Sequence, residues 1–254
     1  MTNQISSYDK WSFTATVSGM HPITHDVYSR GEGKLLVLIQ ELPGIGQETL
    51  ALADQFVNRG YKVILPHLFG PLGKTAVLGN IVRIFCMRRE FKIFSTQQSS
   101  PIVDWLKALC RKVKDDHQVK GVAVIGMCLT GNFAISLMAD DAVLASYSSQ
   151  PSLPIFKQKS LHLSDAEVEK IKTRLDEFGP MHCARFEKDK ICQASKFDLY
   201  DKTFNQDGKE RIKLHTLPGK GHSIVTLDFV DETGHPTKAL LKEVIDYFDA
   251  SLIA

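Results

Sequence analysis

Short, continuous apolar runs alternate along the chain with stretches whose apolar residues recur every three or four positions. Lys34 to Gln40, Tyr61 to Leu65 and Val122 to Ile125 are of the first kind, as expected of strands buried on both faces. Ala142 to Tyr147, Met181 to Phe186 and Arg211 to Leu217 extend the series. Gln47 to Arg59 puts Leu50, Ala53, Phe56 and Val57 on one helical side and stops at Gly60; Pro101 to Lys114 does the same with Val103, Leu106, Leu109 and Val113. Asn132 to Asp140, Ser164 to Phe178 and His235 to Ile253 predict further helices, the second opening on the capping signal Ser164-Asp165-Ala166-Glu167. Trp11 to Val17 alternates bulky and small polar residues and can pair with Ile23 to Tyr28 as opening antiparallel strands.

This alternation predicts an α/β fold, a mostly parallel, doubly wound sheet of about eight strands with helices on both faces. Residues 1–254 read as one domain. The least regular stretch, Gly70 to Ser100, mixes glycine, aromatics and the basic residues Arg83, Arg88 and Arg89. It reads either as a cap-like segment over a site or as a surface helix and loop.

Composition narrows the function classes. With 31 Lys and Arg against 29 Asp and Glu, the net charge is +2, which offers no electrostatic footprint for nucleic acid or an anionic membrane. The first ten residues are polar and lack a signal-peptide core, and no apolar run approaches the roughly 18 residues of a membrane span. Five cysteines, an odd number, show no spacing of a disulfide framework or a zinc site, so a cytoplasmic protein without metal or cofactor is expected. Two phosphate-binding patterns fail. Gly70-Pro71-Leu72-Gly73-Lys74-Thr75 has two residues between its glycines where a P-loop needs four. Gly44-Ile45-Gly46 lacks the third glycine of a dinucleotide fingerprint, Thr49 standing in its place.

Candidate chemistry concentrates at Val122-Ala123-Val124-Ile125-Gly126-Met127-Cys128-Leu129-Thr130-Gly131. A β-branched run meets a cysteine between small residues and passes at once into a helix. That context holds a nucleophile exposed above a parallel sheet; a buried strand-end cysteine is the alternative. In hydrolases of this architecture the acid and the histidine follow the nucleophile in that order. Asp189, in Arg185-Phe186-Glu187-Lys188-Asp189, and His222, in Leu217-Pro218-Gly219-Lys220-Gly221-His222, occupy those places. His182 and His215 fall within strands, His235 at a helix start, and Asp198 and Asp201 on a helix, which makes them weaker candidates.

With these motifs in this order, the chain from about Lys34 onward resembles the dienelactone hydrolase family of α/β-hydrolases. The resemblance rests also on Gln40-Glu41-Leu42-Pro43-Gly44 and on the strand running into a proline turn, Gly60 to Pro66. It implies that Cys128 attacks an ester or lactone carbonyl, that His222 moves protons and activates the deacylating water, and that Asp189 orients it. It implies backbone amides of Leu129 and Leu42 as the oxyanion hole, and for Glu41 a part in forming the thiolate; capping of the next helix is the alternative role for Glu41. Three departures stand out. Thr130 replaces the second elbow glycine. His67 follows the proline turn where the family usually has aspartate; at a strand's C-terminal end it is a candidate substrate contact, with turn packing as the alternative. Thr226 stands where the family's dienelactone enzymes have a substrate-holding arginine, with Arg83 as another candidate cation. The partner expected is a small ester or lactone, not nucleic acid or a membrane, bound by a monomer or homodimer. A broader carboxylesterase, thioesterase or phosphotriesterase, and a non-enzymatic ligand-binding protein of the same fold, are the rival readings. A thiol-redox role is disfavoured because no second cysteine stands at the spacing of a redox pair.

Overall fold

The structure is a computed structural model and describes residues 5–17, 22–73, 100–154 and 157–253. Arg83, Arg88, Arg89 and Cys86, and with them most of the cap-like segment expected at 70–100, lie outside the described residues.

The strands are β1 (Asp9–Ala15), β2 (Ile23–Arg30), β3 (Lys34–Ile39), β4 (Tyr61–His67), β5 (Val122–Met127), β6 (Val143–Ser149), β7 (Met181–Phe186) and β8 (Ile212–Leu217). The helices are α1 (Gln47–Val57), α2 (Pro101–Asp116), α3 (Gly131–Leu137), α4 (Asp165–Phe178), α5 (Ala194–Phe204) and α6 (Pro236–Ser251). One eight-stranded sheet runs in the order β1-β2-β4-β3-β5-β6-β7-β8. β1–β2 and β2–β4 pair antiparallel, and every later pair is parallel. The expected α/β-hydrolase architecture is therefore present.

Alternation along the central strands explains why helices cover both faces. Leu35, Val37 and Ile39 of β3 point with Val122 and Val124 of β5 into a core shared with Trp105 of α2, Phe133 of α3 and Ile171 of α4. Leu36 and Leu38 point the other way, with Ala123 and Ile125, toward Phe56 of α1 and Phe248 of α6. A run of consecutive apolar residues is what a strand needs when both its faces are buried. α4 begins with the capping box read from the sequence: the Glu167 amide donates to Ser164 Oγ at 3.3 Å, and Ser164's own amide donates to Glu167 Oε2 at 2.9 Å.

The turn between β5 and α3 depends on two residues flanking Cys128. A Cβ on Gly126 would lie 2.1 Å from the Thr130 carbonyl oxygen, so only glycine lets the chain fold back so closely. Thr130 sits at φ −79°, an ordinary helical value for a β-branched residue. Its hydroxyl accepts from the Met127 amide at 2.9 Å and lies 3.0 Å from the Gln40 carbonyl oxygen, which joins the ends of β5 and β3. Thr130→Val keeps the shape and leaves the buried Met127 amide without this acceptor. It should cost about 1–3 kcal/mol, read as a lower urea midpoint at unchanged slope.

Candidate active site

The C-terminal ends of the parallel strands deliver the site, as open α/β sheets do. Cys128 directly follows β5 in the left-handed region, φ +57°, where few residues other than glycine settle. It is buried, with Sγ 3.5 Å from the Ser152 hydroxyl. The Ser152 amide donates to the Cys128 carbonyl oxygen at 3.2 Å. The segment after β6 is tied to α3 by Asn132, whose side chain accepts from the Leu153 amide at 2.8 Å and donates to its carbonyl at 3.0 Å. Lys196 of α5, fully buried, donates to the same Leu153 carbonyl at 2.9 Å and to Ser160 at 2.8 Å. Burial lowers its pKa to about 8.

Asp189 and His222 come from neighbouring loops that are stitched together. The amides of Glu187 and Lys188, after β7, donate to the carbonyls of Leu217 and Gly219, after β8, at 2.7 and 2.9 Å. Gly219, at φ +131°, passes close over the Phe186 ring. Asp189 Oδ1 accepts from the amides of Ile191 and Cys192 at 2.7 and 3.0 Å, and Oδ2 accepts from His222 Nδ1 at 2.8 Å. The far nitrogen, His222 Nε2, is buried and makes no ordinary hydrogen bond among the described residues. Cys128 is nonetheless near enough to bear on the ring's charge. Burial works against an imidazolium here, but the charges of Cys128 and Asp189 outweigh it and raise His222 to about 10. Asp228 fixes the histidine loop by accepting from the amides of His222 and Ser223 at 2.8 and 2.9 Å.

Glu41, one residue past Gln40 at the end of β3, is almost fully buried. Its Oε2 accepts from the Ser223 hydroxyl at 2.8 Å and its Oε1 from the Thr226 hydroxyl. Burial raises its pKa, and the two hydroxyls and the charge of His222 oppose that shift. Its carboxylate thus braces the histidine loop; the N-cap of α1 is Gly46, not Glu41. Thr226, only 6% exposed, uses its hydroxyl on Glu41 and offers no cation to a ligand. His67 ends β4, where its Nε2 is hydrogen-bonded to the Gly70 carbonyl oxygen at 2.8 Å and its ring meets Tyr28 edge-on. Leu129 and Leu42 flank the site from the elbow and from the turn after β3.

Ser152, Ser223 and Asp228 were not legible as site residues. Ser152 lies 24 positions from the cysteine it touches, and only the path of the chain after β6 brings it back.

The sequence profile of the dienelactone hydrolase family matches residues 27–251. The chain belongs to the dienelactone hydrolase family. It is 21% identical to Hydrolase tropI of Talaromyces stipitatus over 203 residues, 78% of this chain and 73% of that protein. The fold matches a dienelactone hydrolase-like promiscuous phosphotriesterase, P91, from metagenomic libraries, with a TM-score of 0.62 at 12% identity over 95% of this chain and 98% of that one. It also matches a cold-adapted esterase from an Arctic intertidal metagenomic library, with a TM-score of 0.60 at 17% identity, covering 97% of this chain and 95% of the other. Membership in this family supports hydrolase activity. Among the described residues, no helix is long and apolar enough to cross a membrane.

The raised pKa of Glu41 has a definite sign for stability. Between the ordinary glutamate pKa and the folded value, the native state binds more protons than the unfolded one, so stability falls as pH rises through that window. Glu41→Gln removes this term. The stability of the natural chain relative to the variant should therefore decline as pH increases above about 4.5, as measured by urea titrations across pH.

Proposed function

We propose that this member of the dienelactone hydrolase family hydrolyses small esters or lactones through a covalent acyl-thioester on Cys128. The observation that supports it best is the combination of a cysteine held at φ +57° above the sheet with a histidine oriented by Asp189 at 2.8 Å. A nucleophile, a base within its electrostatic reach and a group orienting the base are what thiol catalysis requires.

In this reading His222 holds the proton and Cys128 Sγ attacks the carbonyl carbon. The backbone amides of Leu129 and Leu42 receive the negative oxygen of the tetrahedral intermediate. His222 then gives its proton to the departing alkoxide, leaving a thioester. Water, deprotonated by His222, attacks that thioester and releases the acid and the thiol. Asp189 keeps the ring's Nδ1–H engaged so that Nε2 faces the reaction. Glu41 acts as a positioning residue, through Ser223 beside the base. His67 and Arg83 are proposed contacts for the remainder of the substrate. Broader carboxylesterase, thioesterase or phosphotriesterase activity uses the same centre with a different acyl or phosphoryl group. A non-enzymatic ligand-binding role would leave the cysteine without a reaction to perform.

The deciding experiment is a screen of lactones, aryl esters, thioesters and phosphotriesters of graded size, with Cys128→Ala as the blank. Sub-stoichiometric iodoacetamide should label Cys128 before the other four cysteines, and activity should fall in proportion; labelling elsewhere with activity retained would sink the mechanism. His222→Ala and Asp189→Asn should each cost several orders of magnitude in kcat/KM, and the double variant little more, because the pair acts as one unit. Multiplicative losses would point to another base.

Specificity gives a separate test. A bidentate arginine grip on a carboxylate is worth roughly a hundredfold or more in discrimination, and Thr226 cannot supply it. The ratio of kcat/KM for a lactone carboxylate over its methyl ester should therefore lie near one. A ratio far above one that collapses on Arg83→Ala would show that Arg83 provides the grip instead.

A further inference from the structure

His182, His215 and Glu243 come from three separate elements, β7, β8 and α6, and meet on the sheet face covered by α6. Their donor atoms all lie within 4.8 Å of one another. The pairing His182↔Lys213 places His215, two residues further along β8, on the same face as His182. His182 Nδ1 and His215 Nε2 share a hydrogen bond at 3.2 Å, whose proton an ion would replace, and Glu243 Oε2 is 4.0 Å from the other ring nitrogen of His215. Two nitrogens bound at about 2.05 Å to one tetrahedral ion stand roughly 3.3 Å apart, so the imidazoles already have that spacing.

The surroundings favour ligation. The His182 ring is stacked on Tyr247 at 4.5 Å and 16°, one turn along α6 from Glu243, which fixes its orientation. The side chains of His215 and Glu243 are 15% and 40% exposed, which leaves a path from solvent. Lys213 Nζ, 2.5 Å from Glu243 Oε1, leaves the second carboxylate oxygen on the histidine side.

We propose that His182, His215 and Glu243 form a binding site for a divalent d-block cation of the zinc class, with water completing the coordination. Two imidazoles and one carboxylate suit zinc, cobalt or nickel better than calcium or magnesium, which prefer all-oxygen shells. Bound there, the ion clamps the edge strand β8 to β7 and α6. No step of the thiol chemistry passes through it.

The test uses full-length Cys128→Ala protein, which removes the catalytic thiol as a competing ligand. Titration with Co²⁺, followed by visible d–d absorption, should show one ion per chain without a sulfur charge-transfer band. Zn²⁺ at about a hundred times its Kd should raise Tm by roughly 5 °C or more. His215→Ala should weaken binding by at least the roughly tenfold that even outer-sphere changes cost. Glu243→Gln, a change on a partly exposed helix face, should also weaken it and guards against misfolding of the strand variant. No saturable binding at millimolar metal, a charge-transfer band, or an affinity unchanged in both variants would each overturn the proposal, the last meaning an adventitious ion only.

Discussion

Holding Cys128 at φ +57° between a buried strand and a buried helix is the constraint around which the site is organised. A left-handed residue other than glycine costs energy, so its surroundings must impose it. Here Gly126 lets the Thr130 carbonyl approach where any side chain would collide, and Thr130 locks the turn to β5 and β3 through one hydroxyl. Gly131 completes the arrangement, because a Cβ there would lie 2.8 Å from the Ser149 carbonyl oxygen at the end of β6. Three neighbouring strands thus converge on one short turn. The same turn brings the sulfur 3.5 Å from the Ser152 hydroxyl.

The remaining groups are held by loops braced against each other instead of by regular elements. Asp189 is fixed by two backbone amides as well as by His222, and the histidine loop by Asp228 and Glu41. A buried carboxylate without donors would be costly; two hydroxyls from that loop satisfy Glu41. The link also explains why threonine is accommodated at 226. With no arginine there, Glu41 finds its partners among hydroxyls.

Much of this was legible in the chain. The continuous apolar runs identified the parallel strands because burial on both faces leaves no room for polar alternation. The spacing of Leu50, Ala53 and Phe56 identified α1, and all three are buried. The places of Cys128, Asp189 and His222 just after β5, β7 and β8 were readable because strand ends carry their own turn signals. Boundaries were less exact: the helix after the elbow stops at Leu137 instead of Asp140, and β4 continues through Pro66 to His67. Proline is tolerated there because the β3–β4 ladder has ended at Val37 and Ile64, so no β3 residue needs an amide from Pro66.

The sequence by itself determined the class of fold, the strand–turn–helix at Cys128 and the order of the candidate groups Cys128, Asp189 and His222, because each is written in local periodicity and turn chemistry. Only the tertiary structure decided which groups meet across it. Ser152 beside the sulfur, Thr226 on Glu41, and His182 against His215 and Glu243 join residues from 24 to 185 positions apart or from separate elements. Such pairings leave no periodic trace. They arise from sheet register and from the way loops at the strand ends lean on one another, and those are properties of the packed chain.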